Sequence, residues 1–252
     1  LRVFAVSDIH LDYDENRRWL HGLSQYDYRG DILVLAGDVT DTPALLVEGF
    51  KALKRRFLEV MYVPGNHELW VHRNGARDSL EQFDIIRTLA NDYGLLMGPA
   101  RFDTLSIVPL FGWYDYSFGQ PSRQILKGWL DYSACKWPVG FDEAKITQHF
   151  VGMNGPFLNV RNQTVISFSH FLPRIDLMPA FIPPDKRMLY PVLGSSLLEQ
   201  QIRQLGSDIH IYGHSHINVR AFKDGTSYIN NAYGYPHETR RTAKELFCVF
   251  GS

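Results

Sequence analysis

The chain opens Leu1-Arg2-Val3-Phe4-Ala5-Val6-Ser7-Asp8-Ile9-His10, a short apolar run that ends in two metal-ligand side chains. Four later runs end the same way. Ile32–Ala36 leads into Asp38, Val60–Val63 into Asn66 and His67, Val165–Ser169 into His170, and Ile209–Tyr212 into His214 and His216. Continuous apolar runs of this length read as buried strands. A parallel sheet gathers the carboxyl ends of its strands on one side, so these distant side chains are expected to converge on one site.

Around these runs the first half alternates between strand and helix. Strands are expected at 2–7, 31–36 and 59–63, with helices near 14–26, 44–58 and 78–92. Leu80, Phe83, Ile86 and Leu89 give the third helix one apolar face, with Glu81, Asp84 and Arg87 turned away from it. Short βα links make this half a parallel-sheet unit, and the fold class is α/β. Beyond Gly94, residues 101–113 read as strands and 122–134 and 142–153 as helices. Strands then dominate at 164–169, 208–212, 217–222, 227–231 and 245–250, with one helix near 195–205. Such a half is expected to form a second sheet packed face to face on the first. Residues 173–194, with Pro173, Pro179, Pro183, Pro184 and Pro191, read as a long surface loop. No repeat or interdomain linker is visible, so residues 1–252 are expected to be one domain, with a cleft-flanking segment around 111–160.

Composition narrows the function classes. The chain has 252 residues, 45% of them hydrophobic, enough for a substantial core. A net charge of −1 disfavours a general electrostatic grip on nucleic acid. The basic run Lys51, Lys54, Arg55, Arg56 reads as the solvated face of a helix. Two cysteines, Cys135 and Cys248, support neither a disulfide framework nor a thiolate metal site, and a reducing compartment suits them. No segment approaches the roughly 20 apolar residues that cross a bilayer. A cytoplasmic protein without membrane contact is expected.

Asp8-Ile9-His10 lets two side chains on one strand-end turn reach a single cation. Gly37-Asp38-Val39-Thr40-Asp41 supplies a carboxylate able to bridge two cations, with a glycine before it for close backbone approach. Gly65-Asn66-His67-Glu68 offers an amide oxygen and an imidazole, and Gly213-His214-Ser215-His216 offers two more imidazoles. Oxygen and nitrogen donors without sulfur suit Mn, Fe or Zn.

These motifs, in this order, resemble those of the calcineurin-like metallophosphoesterase superfamily, over most of the chain to about Asn231. The resemblance implies a four-layer α/β/β/α sandwich of two mixed sheets flanked by helices. It also implies a dinuclear metal centre, one divalent ion on Asp8, His10, His216 and bridging Asp38, the other on Asp38, Asn66, His170 and His214. His170 matches only a lone histidine between motifs. Its rivals are His72, His149 and His210, but only His170 ends an apolar strand. Phosphate-ester hydrolysis follows, with a bridging hydroxide as nucleophile and His67 as the acid that protonates the leaving group. Glu68 is expected to orient His67 by accepting its other ring N–H.

Two departures narrow the resemblance. Thr42 and Pro43 follow Asp41 where phosphoprotein phosphatases of the superfamily carry Arg-Gly, and Asp41 stands where purple acid phosphatases carry a tyrosine ligand. Asp41 is read as a structural hydrogen-bond partner. Arg174 is either a phosphate contact or a plain surface arginine, and Asn230 and Asn231 either line the cleft or form a turn. His21, His72, His149, His210 and His237 read as ordinary surface or core residues. The aromatics from Phe111 to Phe141 read as core, with the loop at 112–121, carrying Trp113, Tyr114 and Tyr116, flanking the cleft. The expected substrate is a small-molecule phosphate ester, monoester or diester. A non-catalytic metal-binding scaffold and a nuclease are the alternatives.

Overall fold

Residue parity decides how the first sheet is covered. Strands β1 (Val3–Val6), β2 (Ile32–Ala36) and β3 (Glu59–Val63) run parallel, Val3 beside Ile32 and Ile32 beside Glu59. Successive side chains of a strand point to opposite faces. Phe4, Val6, Leu33, Leu35, Val60 and Tyr62 therefore share one core with Leu20, Leu46, Phe50, Leu53 and Ile86. Those partners come from or beside helices α1 (Asp14–Gly22), α2 (Pro43–Lys54) and α3 (Ser79–Asp92). The alternate set, Val3, Ala5, Ile32, Val34, Ala36, Met61 and Val63, joins the core shared with the second sheet.

The computed structural model describes residues 1–251 except position 74, so positions 74 and 252 of the expected 1–252 unit lie outside the described residues. In the second sheet, β4 (Ala100–Phe102), β5 (Leu105–Pro109), β6 (Thr164–Phe168), β7 (Ile209–Tyr212), β8 (Val219–Lys223) and β9 (Thr226–Asn230) take the order β4-β5-β6-β7-β9-β8. Its four inner strands, β5, β6, β7 and β9, are parallel, and the two edges are antiparallel. Between β5 and β6 lie α4 (Arg123–Gly128), α5 (Asp131–Ala134) and α6 (Glu143–Met153), and α7 (Ser196–Leu205) precedes β7. Phe150, Leu198, Ile202 and Leu205 from these helices complete the core. The result is two mixed sheets flanked by helices.

Three expectations need correction. The last strand, β10 (Phe247–Phe250), pairs antiparallel with β1 in the first sheet instead of extending the second. The Pro-rich stretch is not structureless. It holds two 3-10 helices, Ile175–Leu177 and Pro184–Val192, the latter started by Pro184 with its fixed φ. Arg56 is not on a solvated face: it is buried and donates to the carbonyls of Leu23, Ala52 and His21, closing the end of α2 onto the end of α1.

Candidate metal centre

All the candidate ligands lie just past strand carboxyl ends, four from the first sheet and three from the second. Two loops run side by side there, with Asp8 N–H donating to Gly37 C=O at 2.9 Å and His10 N–H to Asp38 C=O at 3.1 Å. Asp8, His10, Asp38, His214 and His216 all take positive φ, between 46° and 68°, which folds each side chain back over its strand end. Gly37, at φ 84°, packs where a Cβ would meet His170 Nδ1 at 2.6 Å and Gly65 N at 2.7 Å. Only glycine lets these three turns close on one another.

Two donor groups result. Asp8, His10, Asp38 and His216 bring one ligand atom each within 4.8 Å of one another, and so do Asp38, His170 and His214. Asp38 belongs to both. Asn66 joins the second group, its Oδ1 lying 3.1 Å from His170 Nε2. All seven residues that the resemblance implies as ligands thus lie together, His170 included. Its rival His210 is tied up in the core, with Ser167 and Ser169 hydroxyls on its ring nitrogens.

The imidazoles are set up for cations. His170 donates Nδ1–H to the Ala36 carbonyl at 2.8 Å, and His214 donates Nε2–H to the Val192 carbonyl at 3.0 Å. The opposite nitrogens, His170 Nε2 and His214 Nδ1, then face each other across 3.1 Å as lone pairs. His10 Nε2 and His216 Nε2 face each other at the same distance. Facing lone pairs beside two carboxylates, all buried, are favourable only around positive charge. Without a metal, protons take that place. Burial pushes His170 and His216 down, but the charges of Asp38 and Asp8 outweigh it and raise them to about 9 and about 10. Burial likewise pushes Asp8 up, and the His216 charge overrides it, leaving Asp8 at about 2. His214 falls to about 3, through burial and then the neighbouring His170.

His67 stands at the open side of this cluster with its side chain 16% exposed and its Nε2 3.8 Å from Asp38 Oδ2. Its ring stacks on Trp70, centroids 3.8 Å apart. Glu68 does not orient it. The Glu68 carboxylate turns into the protein, where one oxygen accepts Gly65 and Asp38 N–H at 2.7 and 3.0 Å and the other accepts Val39 and Thr40 N–H at 2.5 and 3.3 Å. The 3-10 turn His67–Leu69 sends consecutive side chains in different directions, so adjacency in sequence did not become contact.

A calcineurin-like phosphoesterase model matches residues 1–218. The chain belongs to the calcineurin-like phosphoesterase family. It is 25% identical over 266 residues to [acyl-carrier-protein] phosphodiesterase PptH of Mycobacterium tuberculosis, covering 95% of this chain and 79% of that protein. The crystal structure of phosphopantetheinyl hydrolase PptH from the same organism superposes with a TM-score of 0.82 at 24% identity, covering 100% of this chain and 96% of that one. TT1561 of Thermus thermophilus shares the fold more distantly, with a TM-score of 0.54 at 12% identity and 98% of each chain covered. A phosphoester hydrolase with a metal-binding cluster therefore accounts for the motifs.

Other expectations resolve locally. Asp41 stays outside both donor groups and pairs with Arg73 at 3.1 Å and His72 at 3.8 Å, a structural partner as read. Arg174 makes ion pairs with Asp176, Glu199 and Asp224, so its guanidinium is engaged by three carboxylates. Asn230 braces the Gly213–Ser215 turn, and Asn231 ties Ala5 to Glu245. Trp113 and Tyr114 are 1% exposed and belong to the core, as the sequence predicts for the aromatics of this segment, so these two side chains of the 112–121 loop pack inward. The aromatic of that segment that meets the centre is Trp129, edge-on to His214 at 5.9 Å.

Two buried carboxylates escaped the sequence reading. Glu238, beyond the matched residues, accepts His216 Nδ1–H at 2.6 Å and Tyr235 N–H at 2.8 Å, fixing the tautomer that leaves His216 Nε2 bare. Asp131 accepts from Asn66. Neither sits in a motif or at a strand end, so no local pattern marks them.

Proposed function

We propose that this chain is a phosphodiesterase in which Asp8, His10, Asp38 and His216 hold one divalent cation and Asp38, Asn66, His170 and His214 hold a second. One observation carries the reading: a single buried carboxylate, Asp38, belongs to both donor groups. Oxygen and imidazole donors favour Mn, Fe or Zn. Two bound cations at such a site supply positive charge for the phosphoryl oxygens and lower the pKa of water. The chain's own residues do the rest. Glu68 holds the Asp38 loop and Gly65 in place, Glu238 holds His216, and His67, on the open side, gives a proton to the departing oxygen.

A diester is favoured over a monoester because the relative PptH is an [acyl-carrier-protein] phosphodiesterase. The same relative points to an ester carried on a protein, in place of the small molecule expected from sequence. Residues 1–252 act as one domain in this reading, and free Cys135 and Cys248 suit a reducing, cytoplasmic setting.

The test is a substrate comparison on manganese-loaded protein: bis(4-nitrophenyl) phosphate, 4-nitrophenyl phosphate and phosphopantetheinylated acyl carrier protein. Turnover of the first and third well above the second is expected. Preference for the monoester would overturn the diesterase reading. Two bound metals without turnover of any of the three would leave the scaffold alternative.

A further inference from the structure

Asp131 opens α5, in the segment between β5 and β6 that none of the motifs reaches, yet it lies directly behind the metal ligands and is 2% exposed. Its Oδ1 accepts from Asn66 Nδ2 at 2.9 Å and from Trp70 Nε1 at 2.7 Å, and its Oδ2 accepts from Trp129 Nε1 at 2.8 Å. Three donors, two flanking the 3-10 turn His67–Leu69 and one just before α5, thus end on one buried carboxylate. Each donor belongs to a residue that touches the centre. Asn66 turns its Oδ1 to the second donor group, Trp70 carries the stacked ring of His67, and Trp129 meets His214 edge-on.

The consequence rests on the asymmetry of an amide. Asn66 can coordinate a cation only through oxygen, because its nitrogen carries two hydrogens and no available lone pair. A carboxylate can only accept, so Asp131 selects the amide rotamer with nitrogen inward and oxygen toward His170. Without that acceptor the amide is free to turn over and present N–H to the cation. We propose that Asp131 is the positioning residue for the second metal subsite, selecting the ligating face of Asn66, and that through Trp70 it also fixes the ring of His67. The packing of an insertion outside the motifs then sets the affinity of one subsite and not the other.

This rests on the two-cation reading above, and the experiment separates the two. Metal-free full-length protein, checked for fold by circular dichroism, is titrated with manganese by calorimetry as the parent and as Asp131→Ala and Asp131→Asn. The parent is expected to bind two equivalents. In Asp131→Ala one of them weakens by about 10–100-fold, the range for loss of an outer hydrogen-bond partner, while the other stays within about threefold. Asp131→Asn retains one acceptor oxygen but sets an N–H group against at least one donor, so it falls between alanine and parent. With bis(4-nitrophenyl) phosphate at saturating metal, kcat falls more than KM rises. Parent-like binding of both equivalents by folded Asp131→Ala overturns the proposal. Equal weakening of both assigns Asp131 to the fold and overturns it too. A parent that binds no manganese overturns the two-cation reading along with it.

Discussion

A non-glycine residue at positive φ costs roughly 1–2 kcal/mol, and five of the seven ligand positions, Asp8, His10, Asp38, His214 and His216, adopt it. The cost is borne where several chain turns must deliver donors into a few ångströms. A test needs no metal: in chelator, Asp8→Gly should be more stable than Asp8→Ala by about 1 kcal/mol in urea unfolding, because both lose the carboxylate and only alanine keeps the strain. Equal stability would show that the turn relaxes. His67 makes a different prediction. His67→Ala should lose about 100-fold or more on an alkyl ester, whose leaving oxygen needs a proton, and much less on a nitrophenyl ester. An equal proportional loss on both would remove His67 from that role. The ligands were legible in sequence because each combines a donor with an apolar run and a tight turn. Asp131 and Glu238 were not, because the ligands they hold, Asn66 and His216, lie 65 and 22 residues away and nothing in their own neighbourhoods marks that pairing. Glu68 was misread because proximity in sequence stood in for direction.

At the scale of elements, strand positions were the most legible part of the fold, since a buried parallel strand announces itself by a short apolar run. Ends of helices were less so: α1 stops at Gly22 rather than running to 26, because Leu23 turns to an extended conformation, and α2 stops at Lys54. What joins the elements was invisible. Glu68 is the clearest joint, binding the turn after β2 to the turn after β3 through four backbone N–H groups. Removing it leaves buried donors unpaired, so Glu68→Ala should lose about 3 kcal/mol in denaturant unfolding even without metal. A loss confined to activity would mean that the joint is redundant. Arg2 and Asp31 form a second joint, between the starts of β1 and β2, with Arg2 Nε and NH2 donating to Asp31 Oδ2 at 3.1 and 2.6 Å. Burial pushes Asp31 up, but the Arg2 hydrogen bonds outweigh it and hold it below its ordinary 3.8. A depressed carboxylate stabilises the fold above its unfolded pKa, and that contribution disappears as pH falls through the folded value. Asp31→Asn should therefore be less stable than the parent at pH 7 and approach it below about pH 3. A stability difference that stays constant across that window would rule out the ion pair as its source.

Over the whole molecule, the proposed centre does more than chemistry. Asp8, His10, Asp38 and Asn66 extend from the first sheet, and His170, His214 and His216 extend from the second, so any cation held by either donor group ties one sheet to the other. Away from the centre the layer between the sheets is apolar, with polar ties at its edge such as the parallel bridge of Ser7 with Ala232 and the Asn231 amide on the Ala5 carbonyl. Cations bound only by the folded state stabilise it by mass action, about 2.7 kcal/mol for one site at a hundredfold excess over Kd. For a chain of this length that corresponds to about 5–10 °C in Tm. Chelation of metal-loaded protein should lower Tm by at least that much, and Asp38→Ala, which lacks the shared ligand, should lose most of its response to chelator. If chelation strips the metal and Tm stays fixed, the apolar layer and its edge ties hold the two sheets without help. Such a result would also weaken the dinuclear reading, because a cation bound by both sheets cannot leave without loosening them.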